Sequence, residues 1–288
     1  MTMKKEIEKA SVLIEALPYI RRFAGSTVVI KYGGSAMIDE EIKKSVIQDI
    51  AMMKMIGLRP VVVHGGGNSI TAMLQKMGKD TLFLDGLRVT DAETAHIAEM
   101  VLSGSISKDL VQHLQGQGIQ AVGINGKDGD TLVAKKKLMQ GKDLGYVGEV
   151  VRVNTALLDS LMASDFVPVV APVGTDFSGN TYNINADYAA SAIAGALGAQ
   201  KLVFLTDVEG ILKDKDDPST ILRQLTLKDA ERYIEDGTIC GGMIPKAQCC
   251  MDGIRQGVSS VHILDGRLPH SLLLEIFTNA GVGTMMTR

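Results

Sequence analysis

The fold is decided by Val28–Ser35, a stretch that reads VVIKYGGS. Three apolar β-branched residues favour a buried strand, and a lysine and two adjacent glycines follow almost directly. A strand that ends in a bare backbone turn beside a cation is suited to binding an anion. The same arrangement recurs in Val61–Asn68, VVVHGGGN, so the sequence predicts two glycine loops at one edge of a single sheet.

Outward from this stretch, short apolar runs alternate with amphipathic segments. Each run is continuous, which is typical of strands that are covered on both faces. The predicted strands are 27–31, 60–64, 119–124, 166–171, 201–206 and 259–264. The predicted helices are 39–56, 68–77, 91–103, 154–163, 185–198, 227–236 and 243–257. This alternation indicates an α/β protein with a mainly parallel sheet and right-handed crossovers.

Three further segments complete the predicted organisation. Residues 4–24 carry apolar side chains near helical spacing and predict a helix ahead of the sheet, although Pro18 should kink or break it. Residues 130–153 and 173–183 are interpreted as hairpins, because their turns are rich in glycine or aspartate. A boundary between two parts of the chain is plausible near 178–183, at the turn 176–180.

Composition bounds the class of protein. Of 288 residues, 45% are hydrophobic and 22% charged, which is ordinary for a soluble globular protein. A formal net charge of −3 argues against a broad nucleic-acid-binding surface. No apolar run approaches the roughly 20 residues that span a bilayer, so no membrane association is expected. The odd set Cys240, Cys249 and Cys250 indicates a reducing cytoplasm, and no CxxC or CxxH spacing fits zinc.

The common signatures of nucleotide-binding and hydrolytic enzymes are absent from the sequence. It contains no GxxxxGK[ST], no GxGxxG, no GxSxG and no HExxH. An enzyme that handles phosphate with this sequence must therefore use another arrangement of residues.

Glycines mark the best candidates for ligand contact. Gly65–Gly67 cost backbone entropy and favour close approach of a ligand. Lys31 and Lys246 each stand beside paired glycines, where an ammonium group would neutralise a phosphoryl group; a solvated lysine before an ordinary turn is the alternative for Lys31. His64 is interpreted as a satisfied strand-end histidine, and Cys240 as a small space-filling residue.

Polar residues at predicted helix starts are further candidates. Arg88 precedes a helix that Thr90 or Asp91 would cap, and it fits either a clamp on a carboxylate or a surface position. Asn183–Asp187 opens a helix of small residues; one polar side chain suffices for its cap, so the excess indicates a site. Asn68–Ser69 is predicted to cap the helix after the triple glycine.

Six motifs in order carry a resemblance to a known family. They are Lys31-x-Gly33-Gly34, His64-Gly65-Gly66-Gly67, Gly86-Leu87-Arg88-Val89-Thr90, Asn183-Ile184-Asn185-Ala186-Asp187, Thr206-Asp207-Val208-Glu209-Gly210-Ile211 and Gly242-Met243-Ile244-x-Lys246. From about residue 27 to 286 the chain resembles the amino acid kinase family. The Gly-Leu-Arg-Val-Thr and Asn-x-Asn-Ala-Asp motifs are similar to those of the members that phosphorylate N-acetyl-L-glutamate. The resemblance implies a three-layer α/β/α sandwich with a mainly parallel central sheet, plus an N-terminal helix.

The resemblance also implies an activity and a site. ATP, with Mg²⁺ as cofactor, would phosphorylate the γ-carboxylate of N-acetyl-L-glutamate in arginine biosynthesis. The acceptor would be held by Gly66, Gly67, Arg88 and Asn183. Lys31 and Lys246 would stabilise the transferring phosphoryl group, and Asp187 would organise both lysines. The residues implied in nucleotide binding are Gly33, Gly34, Thr206, Asp207, Gly210, Ile211, Leu212, Thr238, Cys240, Gly242 and Met243.

Elementary chemistry agrees with this implied activity. A carboxylate nucleophile has a reference pKa of about 4.3 and is already ionised at neutral pH, so no general base is required. The reaction needs two anions to be aligned and their repulsion cancelled, which lysines, glycine N–H groups, helix N-termini and Mg²⁺ can supply. Arg88 would bind the other carboxylate of the acceptor and fix which end reacts.

Both ends of the chain resemble the arginine-inhibited, hexameric members of the family. In these members an N-terminal helix joins dimers into a ring, so the resemblance implies a trimer of dimers inhibited by L-arginine. A solvated cap on its own domain is the alternative for that helix, although Val12, Leu13 and Leu17 need a partner. The implied arginine-site residues are Tyr19, His270, Glu275 and Gly283. The implied parts are an interface helix (1–26), an acceptor-binding and dimerisation part (27–178) and an ATP-binding part with a C-terminal regulatory segment (179–288).

Two other functions stay open at this point. One is a related carboxylate kinase that acts on carrier-linked aminoadipate or glutamate. The other is a catalytically silent amino-acid sensor on the same fold. The presence of Lys31, Asp187 and Lys246 together argues against the silent sensor.

Overall fold

The computed structural model describes residues 3–37, 39–139, 141–214, 216–278 and 281–288; the side chains of 4–6, 8, 9, 13, 35 and 36 lie outside the description. The strands are β1 (Thr27–Tyr32), β2 (Arg59–His64), β3 (Phe83–Leu84), β4 (Leu87–Arg88), β5 (Ala121–Asn125), β6 (Leu132–Met139), β7 (Lys142–Val153), β8 (Val167–Ala171), β9 (Val173–Thr175), β10 (Thr181–Ile184), β11 (Lys201–Thr206), β12 (Gln224–Thr226), β13 (Ser260–Asp265) and β14 (Thr284–Thr287). The α-helices are α1 (Met3–Phe23), α2 (Glu40–Met55), α3 (Gly67–Lys76), α4 (Ala92–Glu99), α5 (Ser107–Gly116), α6 (Ala156–Ala163), α7 (Ala186–Ala196), α8 (Leu227–Glu235), α9 (Met243–Arg255) and α10 (Ser271–Phe277). A π-helix, Met100–Ile106, joins α4 to α5.

Eight strands form the central sheet in the order β12-β14-β13-β11-β1-β2-β8-β5. Neighbouring strands are parallel, except for the antiparallel pair β13 and β14. β1 lies between β11 and β2, and Tyr32 at its end is paired with His64. The loops that follow β1 and β2 therefore leave the sheet side by side, as the sequence predicted.

Helices cover both faces of this sheet, which explains why the strands are continuously apolar. Val28 and Ile30 of β1 pack in one core with buried side chains of α2 and α5. Val29, which points to the other face, packs in a second core with α7 and α9. The three-layer arrangement confirms the predicted fold class.

A second, small sheet lies beside the first. β6, β7, β9 and β10 close on one another, and β6–β7 and β9–β10 are the two predicted hairpins. A bridge between Thr90 and Gly145 ties this sheet to the segment after β4. Thr90 donates its N–H to the Leu144 carbonyl at 2.9 Å and accepts from the Tyr146 N–H at 2.6 Å. The small sheet thus fixes the backbone that carries the Gly-Leu-Arg-Val-Thr motif.

Three local predictions differ from the structure. The helix is not broken at Pro18, since α1 continues through it to a last turn in which Tyr19 packs edge-on against Phe277. The predicted helix 91–103 continues through the π-helix into α5, although glycine and serine at 103–105 read as helix breakers. The pair Asn68–Ser69 does not cap α3, which begins one residue earlier with Gly66 as its N-cap.

The predicted positions of the cysteines are confirmed in part. Cys249 and Cys250 are buried in α9, as expected. Cys240 is exposed, so its interpretation as a space-filling residue was wrong. None of the described helices has the length and apolar character needed to cross a bilayer.

Candidate active site

The two glycine loops open into a cavity of about 230 Å³ at the carboxyl ends of β1 and β2. Ligands of open α/β sheets bind at this position, just outside the carboxyl ends of the strands. Of the residues implicated from sequence, those that line the cavity are Lys31, Gly33, Gly34, Gly66, Gly67, Arg88, Asn183 and Asp187. The fold therefore brings together in one cavity residues that are up to 156 positions apart in the sequence, from Lys31 to Asp187.

One carboxylate and two ammonium groups form the charged end of the site. Asp187 lies in the first turn of α7, whose N-cap Asn185 accepts hydrogen bonds from the Asp187 and Tyr188 N–H groups. The Asp187 Oδ1 atom is 2.9 Å from Lys31 Nζ, and Oδ2 is 3.9 Å from Lys246 Nζ. A single carboxylate thus holds two cations, one from β1 and one from α9, near the same point.

Close packing explains two glycines of the loops, Gly33 and Gly66. A Cβ on Gly33 would lie 3.0 Å from Lys31 Nζ and 3.7 Å from the Gly65 Cα, so the loops approach backbone to backbone. A Cβ on Gly66 would overlap Leu102 and Ile106, which project from the π-helix. π-helices are uncommon and are often found at functional sites. Here the π-helix presses two buried apolar side chains onto the glycine loop.

His64 ends β2 directly before the triple glycine. It is fully buried, and its Nδ1 atom lies 2.9 Å from the Gly65 carbonyl oxygen. Burial lowers the pKa of His64 to about 4, so the ring is neutral at pH 7. Its Nε2 atom has no hydrogen-bond partner among the described residues, and His64 does not line the cavity. This placement agrees with a structural rather than catalytic histidine, but among the described residues only one of the two ring nitrogens has a partner, so the predicted satisfied histidine is satisfied in part.

Arg88 is a buried cavity residue, which rules out the surface position. The Nη2 group donates to the Gly67 carbonyl at 2.8 Å and to Thr71 Oγ1 at 2.9 Å, and Nη1 donates to Thr81 Oγ1 at 3.2 Å. Burial lowers the pKa of Arg88, but an arginine remains charged at neutral pH. Asn183, which donates to Thr90 Oγ1 at 3.4 Å, lines the same cavity.

The predicted nucleotide-binding residues lie around the loops after β11 and before α9. Except for Gly33 and Gly34, they do not line the 230 Å³ cavity. The Asp207 carboxylate lies so close to Gly34 that a Cβ there would be 2.6 Å from Oδ1. Thr206 Oγ1 accepts from the Val208 N–H at 3.1 Å. After β11, Gly210 has a backbone φ of +154°, the Ile211 N–H donates to Thr284 Oγ1, and Leu212 forms an isolated β-bridge with Ile221. Before α9, the Thr238 N–H donates to Asp236 Oδ1, and Cys240 is exposed. Gly242 is the N-cap of α9 and Met243 is its first residue.

A separate cavity of about 300 Å³ lies between α1 and the C-terminal segment. Tyr19, Glu275 and Gly283 line it, but His270 does not. His270 pairs instead with Asp49 of α2, at 2.6 Å between Nδ1 and Oδ1. The structure therefore separates His270 from the other three predicted residues.

Among the lining residues of this second cavity that the sequence analysis missed are Lys201 and His262. Lys201 Nζ lies 3.0 Å from His262 Nε2, and His262 Nδ1 lies 2.8 Å from Glu275 Oε1. Burial lowers the pKa of both Lys201 and His262. Burial, the largest single influence, raises the pKa of Glu275, but His262, the Val282 N–H and the Lys201 charge together outweigh it and leave that pKa below its ordinary value. A lysine and a histidine inside apolar strand runs were the signal that could have revealed them.

Comparison with known proteins agrees with this geometry. The sequence profile of the amino acid kinase family matches residues 26–265. The chain belongs to the amino acid kinase family. The recognition made from six motifs is thereby confirmed, and the fold with it.

Relatives in the amino acid kinase family are similar over their full length. The acetylglutamate kinase of Desulforamulus reducens is 52% identical over 285 residues, with 99% of each chain covered. Among solved structures, the N-acetylglutamate synthase of Neisseria gonorrhoeae with coenzyme A and N-acetyl-glutamate superposes with a TM-score of 0.85 at 28% identity. The same synthase with coenzyme A and L-arginine gives a TM-score of 0.80 at 25% identity. These comparisons cover 97% and 96% of the chain but only 63% and 65% of the synthase.

Proposed function

We propose that this member of the amino acid kinase family transfers the γ-phosphoryl group of ATP to the γ-carboxylate of N-acetyl-L-glutamate, in the cytoplasm, as a step of arginine biosynthesis. The observation that carries the proposal is the Asp187 carboxylate, held between Lys31 and Lys246 beside two glycine loops. The full-length likeness to a relative named acetylglutamate kinase supports the choice of acceptor.

Each residue of the site has a separate role in the proposed reaction. The acceptor carboxylate is ionised at neutral pH and attacks the γ-phosphorus directly, while the bond from that phosphorus to the ADP oxygen breaks. Lys31 and Lys246 neutralise the charge on the transferring group, and Asp187 keeps both ammonium groups in place. Arg88 binds the α-carboxylate, so the γ-carboxylate is left to face the nucleotide. Gly66 and Gly67 approach the acceptor with bare backbone, and Asn183 contacts it.

Mg²⁺ fits this site as an ion that is held mainly by the nucleotide. Among the described residues, no three His, Cys, Asp or Glu side chains converge to hold a metal. Mg²⁺ in kinases is commonly bound by substrate phosphates with few protein carboxylates. When bound, it supplies further neutralisation of the phosphate charge.

The proposal assigns the two parts of the chain to the two substrates. Residues 27–178 carry Gly66, Gly67 and Arg88 and form the acceptor part. Residues 179–288 carry Lys246 and the loop after β11 and form the nucleotide part. The turn at 176–180 lies in the β9–β10 hairpin, next to Asn183.

The proposed activity is tested with a panel of acceptors. Incubation with ATP, Mg²⁺ and N-acetyl-L-glutamate should form an acyl phosphate, which hydroxylamine traps as a hydroxamate. L-Glutamate, carrier-linked aminoadipate and carrier-linked glutamate serve as competing acceptors. Turnover with a carrier-linked acceptor but not with N-acetyl-L-glutamate would overturn the proposal in favour of a related carboxylate kinase. No turnover with any acceptor would favour the non-catalytic sensor.

We also propose that L-arginine inhibits this activity from the 300 Å³ cavity beside α1. The synthase that superposes on the chain was solved with L-arginine, which supports a ligand of this class. Glu275 supplies a buried carboxylate for a guanidinium, and it already accepts from His262 and from the Val282 N–H at 2.9 Å. Tyr19 and Gly283 also line the cavity, and His262 and Lys201 take the place that the sequence prediction gave to His270.

Replacing Glu275 with glutamine is expected to weaken arginine inhibition about tenfold or more, because a charge-assisted hydrogen bond contributes roughly 1.5–3 kcal/mol. Inhibition curves at fixed substrate measure the effect. Glu149→Gln, an exposed glutamate of the small sheet, is the matched control and should leave inhibition unchanged. Equal inhibition of wild type and Glu275→Gln would contradict the assignment of this cavity.

The regulated form is proposed to be a hexamer built as a trimer of dimers. Apolar side chains of α1 are exposed in the single chain, namely Ile7, Val12, Ile14 and Leu17, while the side chain of Leu13 lies outside the description. Light scattering of the wild-type protein should give a molar mass about six times the 30.8 kDa of one protomer. A dimer mass would overturn this part of the proposal.

A further inference from the structure

Phe83 is half exposed and yet lines the acceptor cavity. Phe83 is 51% exposed and is the first residue of β3, which Leu84 completes before the turn of the β3–β4 hairpin. The centroid of its ring lies 4.6 Å from the Arg88 Cζ atom, and the guanidinium lies over the ring face. Exposure of a phenylalanine ring to water is unfavourable, and the cation–π contact with Arg88 accounts for its position.

The hairpin itself sets this stack. Phe83 and Arg88 are directly paired residues of the antiparallel strands β3 and β4. The two turn residues, Asp85 and Gly86, both have positive φ, 46° and 79°, which is the backbone of a type I′ turn and fits an Asp-Gly sequence. Side chains of directly paired residues lie on the same face of a hairpin, so the tight turn keeps the ring against the guanidinium.

The remaining contacts of Arg88 come from α3 and the segment before β3. Its hydrogen bonds to Gly67, Thr71 and Thr81 occupy three of the five guanidinium N–H donors. Two donors remain, within the described contacts, for a ligand in the cavity that Arg88 lines. Because the group is only 6% exposed, a carboxylate that reaches these donors meets a cation shielded from water.

We propose that Phe83 is a positioning residue that acts through Arg88, and that it sets the preference for acceptors carrying a second carboxylate. Thr71 and Thr81 hold the edge of the guanidinium, and the Phe83 ring covers its face. Without the ring, the guanidinium rotates more freely and its face is open to water. The α-carboxylate is therefore bound less tightly. This inference rests on the proposed function and deepens it.

The effect must be confined to acceptors with an α-carboxylate. N-acetyl-4-aminobutyrate is N-acetyl-L-glutamate without that group and retains the reacting carboxylate. A defect that acts through Arg88 raises the KM for N-acetyl-L-glutamate and leaves kcat/KM for N-acetyl-4-aminobutyrate unchanged. General damage to the site lowers the rate with both acceptors alike.

The test compares Phe83→Leu, Phe83→Tyr and wild type. Phe83→Leu is expected to raise the KM for N-acetyl-L-glutamate about three- to thirtyfold, the range of a cation–π contact, with kcat within twofold of wild type. Phe83→Tyr keeps an aromatic face and should restore the wild-type KM. Phe177→Leu is the matched control, since Phe177 is 84% exposed and stacks near Arg152 on another hairpin.

Each outcome decides between the alternatives. An unchanged KM in Phe83→Leu, or equal losses with both acceptors, overturns the inference while the proposed function stands. Absence of wild-type turnover with N-acetyl-L-glutamate overturns the proposed function and this inference with it. If Phe83→Leu does not fold, as judged by thermal unfolding, Thr71→Val is expected to raise the same KM through the same guanidinium, and an unchanged KM there overturns the inference.

Discussion

Replacing Lys31 with alanine is expected to lower kcat about 10²–10³-fold, the usual cost of removing one positioned charge or donor from a reacting centre. Lys31 is the penultimate residue of the central strand β1, and its ammonium group lies 2.9 Å from Asp187 at the mouth of the acceptor cavity. Among the described lysines, Lys31 is the one that lines that cavity, and Lys246, which pairs with the same carboxylate at 3.9 Å, replaces its charge only in part. The loss should fall mainly on kcat, because charge on the phosphoryl group grows as the reaction proceeds.

The measurement is release of ADP at saturating ATP and N-acetyl-L-glutamate, together with thermal unfolding of each variant. Lys135→Ala is the matched control, because Lys135 forms an exposed ion pair with Glu149 at 3.4 Å and such pairs contribute little. A loss of less than about fivefold in a folded Lys31→Ala protein would show that Lys31 is not part of the reacting centre. A large loss in the Lys135 control would point to a general effect of reduced charge.

The sequence was sufficient for the elements whose pattern is set by burial. The six predicted strands begin and end within two residues of β1, β2, β5, β8, β11 and β13, because strands covered on both faces must be continuously apolar. The edge strand β12, its neighbour β14 and the short hairpin β3–β4 were not predicted. They are two to four residues long, and their apolar content depends on what packs beside them.

The charged cluster of the site was predictable for a different reason. Lys31, Asp187 and Lys246 each stand at the junction of a strand or helix with glycines or polar caps, where no packing explanation was available. Their meeting point could not be derived from local sequence, since it depends on β1, α7 and α9 converging at the carboxyl edge of the sheet. The ordered motifs of a family supplied that information.

The second cavity shows where sequence reasoning fails. His270 was implied by the resemblance of the C-terminal segment to arginine-inhibited members of the family, but its side chain pairs with Asp49 of α2. His262 lies within the apolar strand β13 and was not among the predicted residues. Its partners become visible only when β11 and β13 are aligned, since the register pairs Lys201 with Ser260 and Val203 with His262. A buried ionisable side chain requires a partner, and that partner is set by the tertiary structure.

Replacing Asp187 with asparagine is expected to lower kcat roughly 10- to 100-fold, the size of one charge-assisted hydrogen bond. Asparagine has nearly the same shape, so the change removes charge and leaves packing intact. Without the carboxylate, Lys31 and Lys246 lose the group that lies 2.9 and 3.9 Å from their Nζ atoms, and they repel each other. Asp143→Asn is the matched control, because Asp143 pairs with Lys136 on an exposed hairpin at 2.9 Å.

The double variant Lys31→Ala/Asp187→Asn decides whether Asp187 acts through the lysine. If its role is to hold Lys31, removal of the carboxylate adds little once the lysine is gone, and the double variant should lose about as much kcat as Lys31→Ala alone. Any loss beyond that measures the part of Asp187 that acts through Lys246, whose Nζ is 1.0 Å farther from the carboxylate (3.9 against 2.9 Å). A double variant whose loss equals the product of the two single losses would contradict this role, because independent sites multiply and a shared one does not.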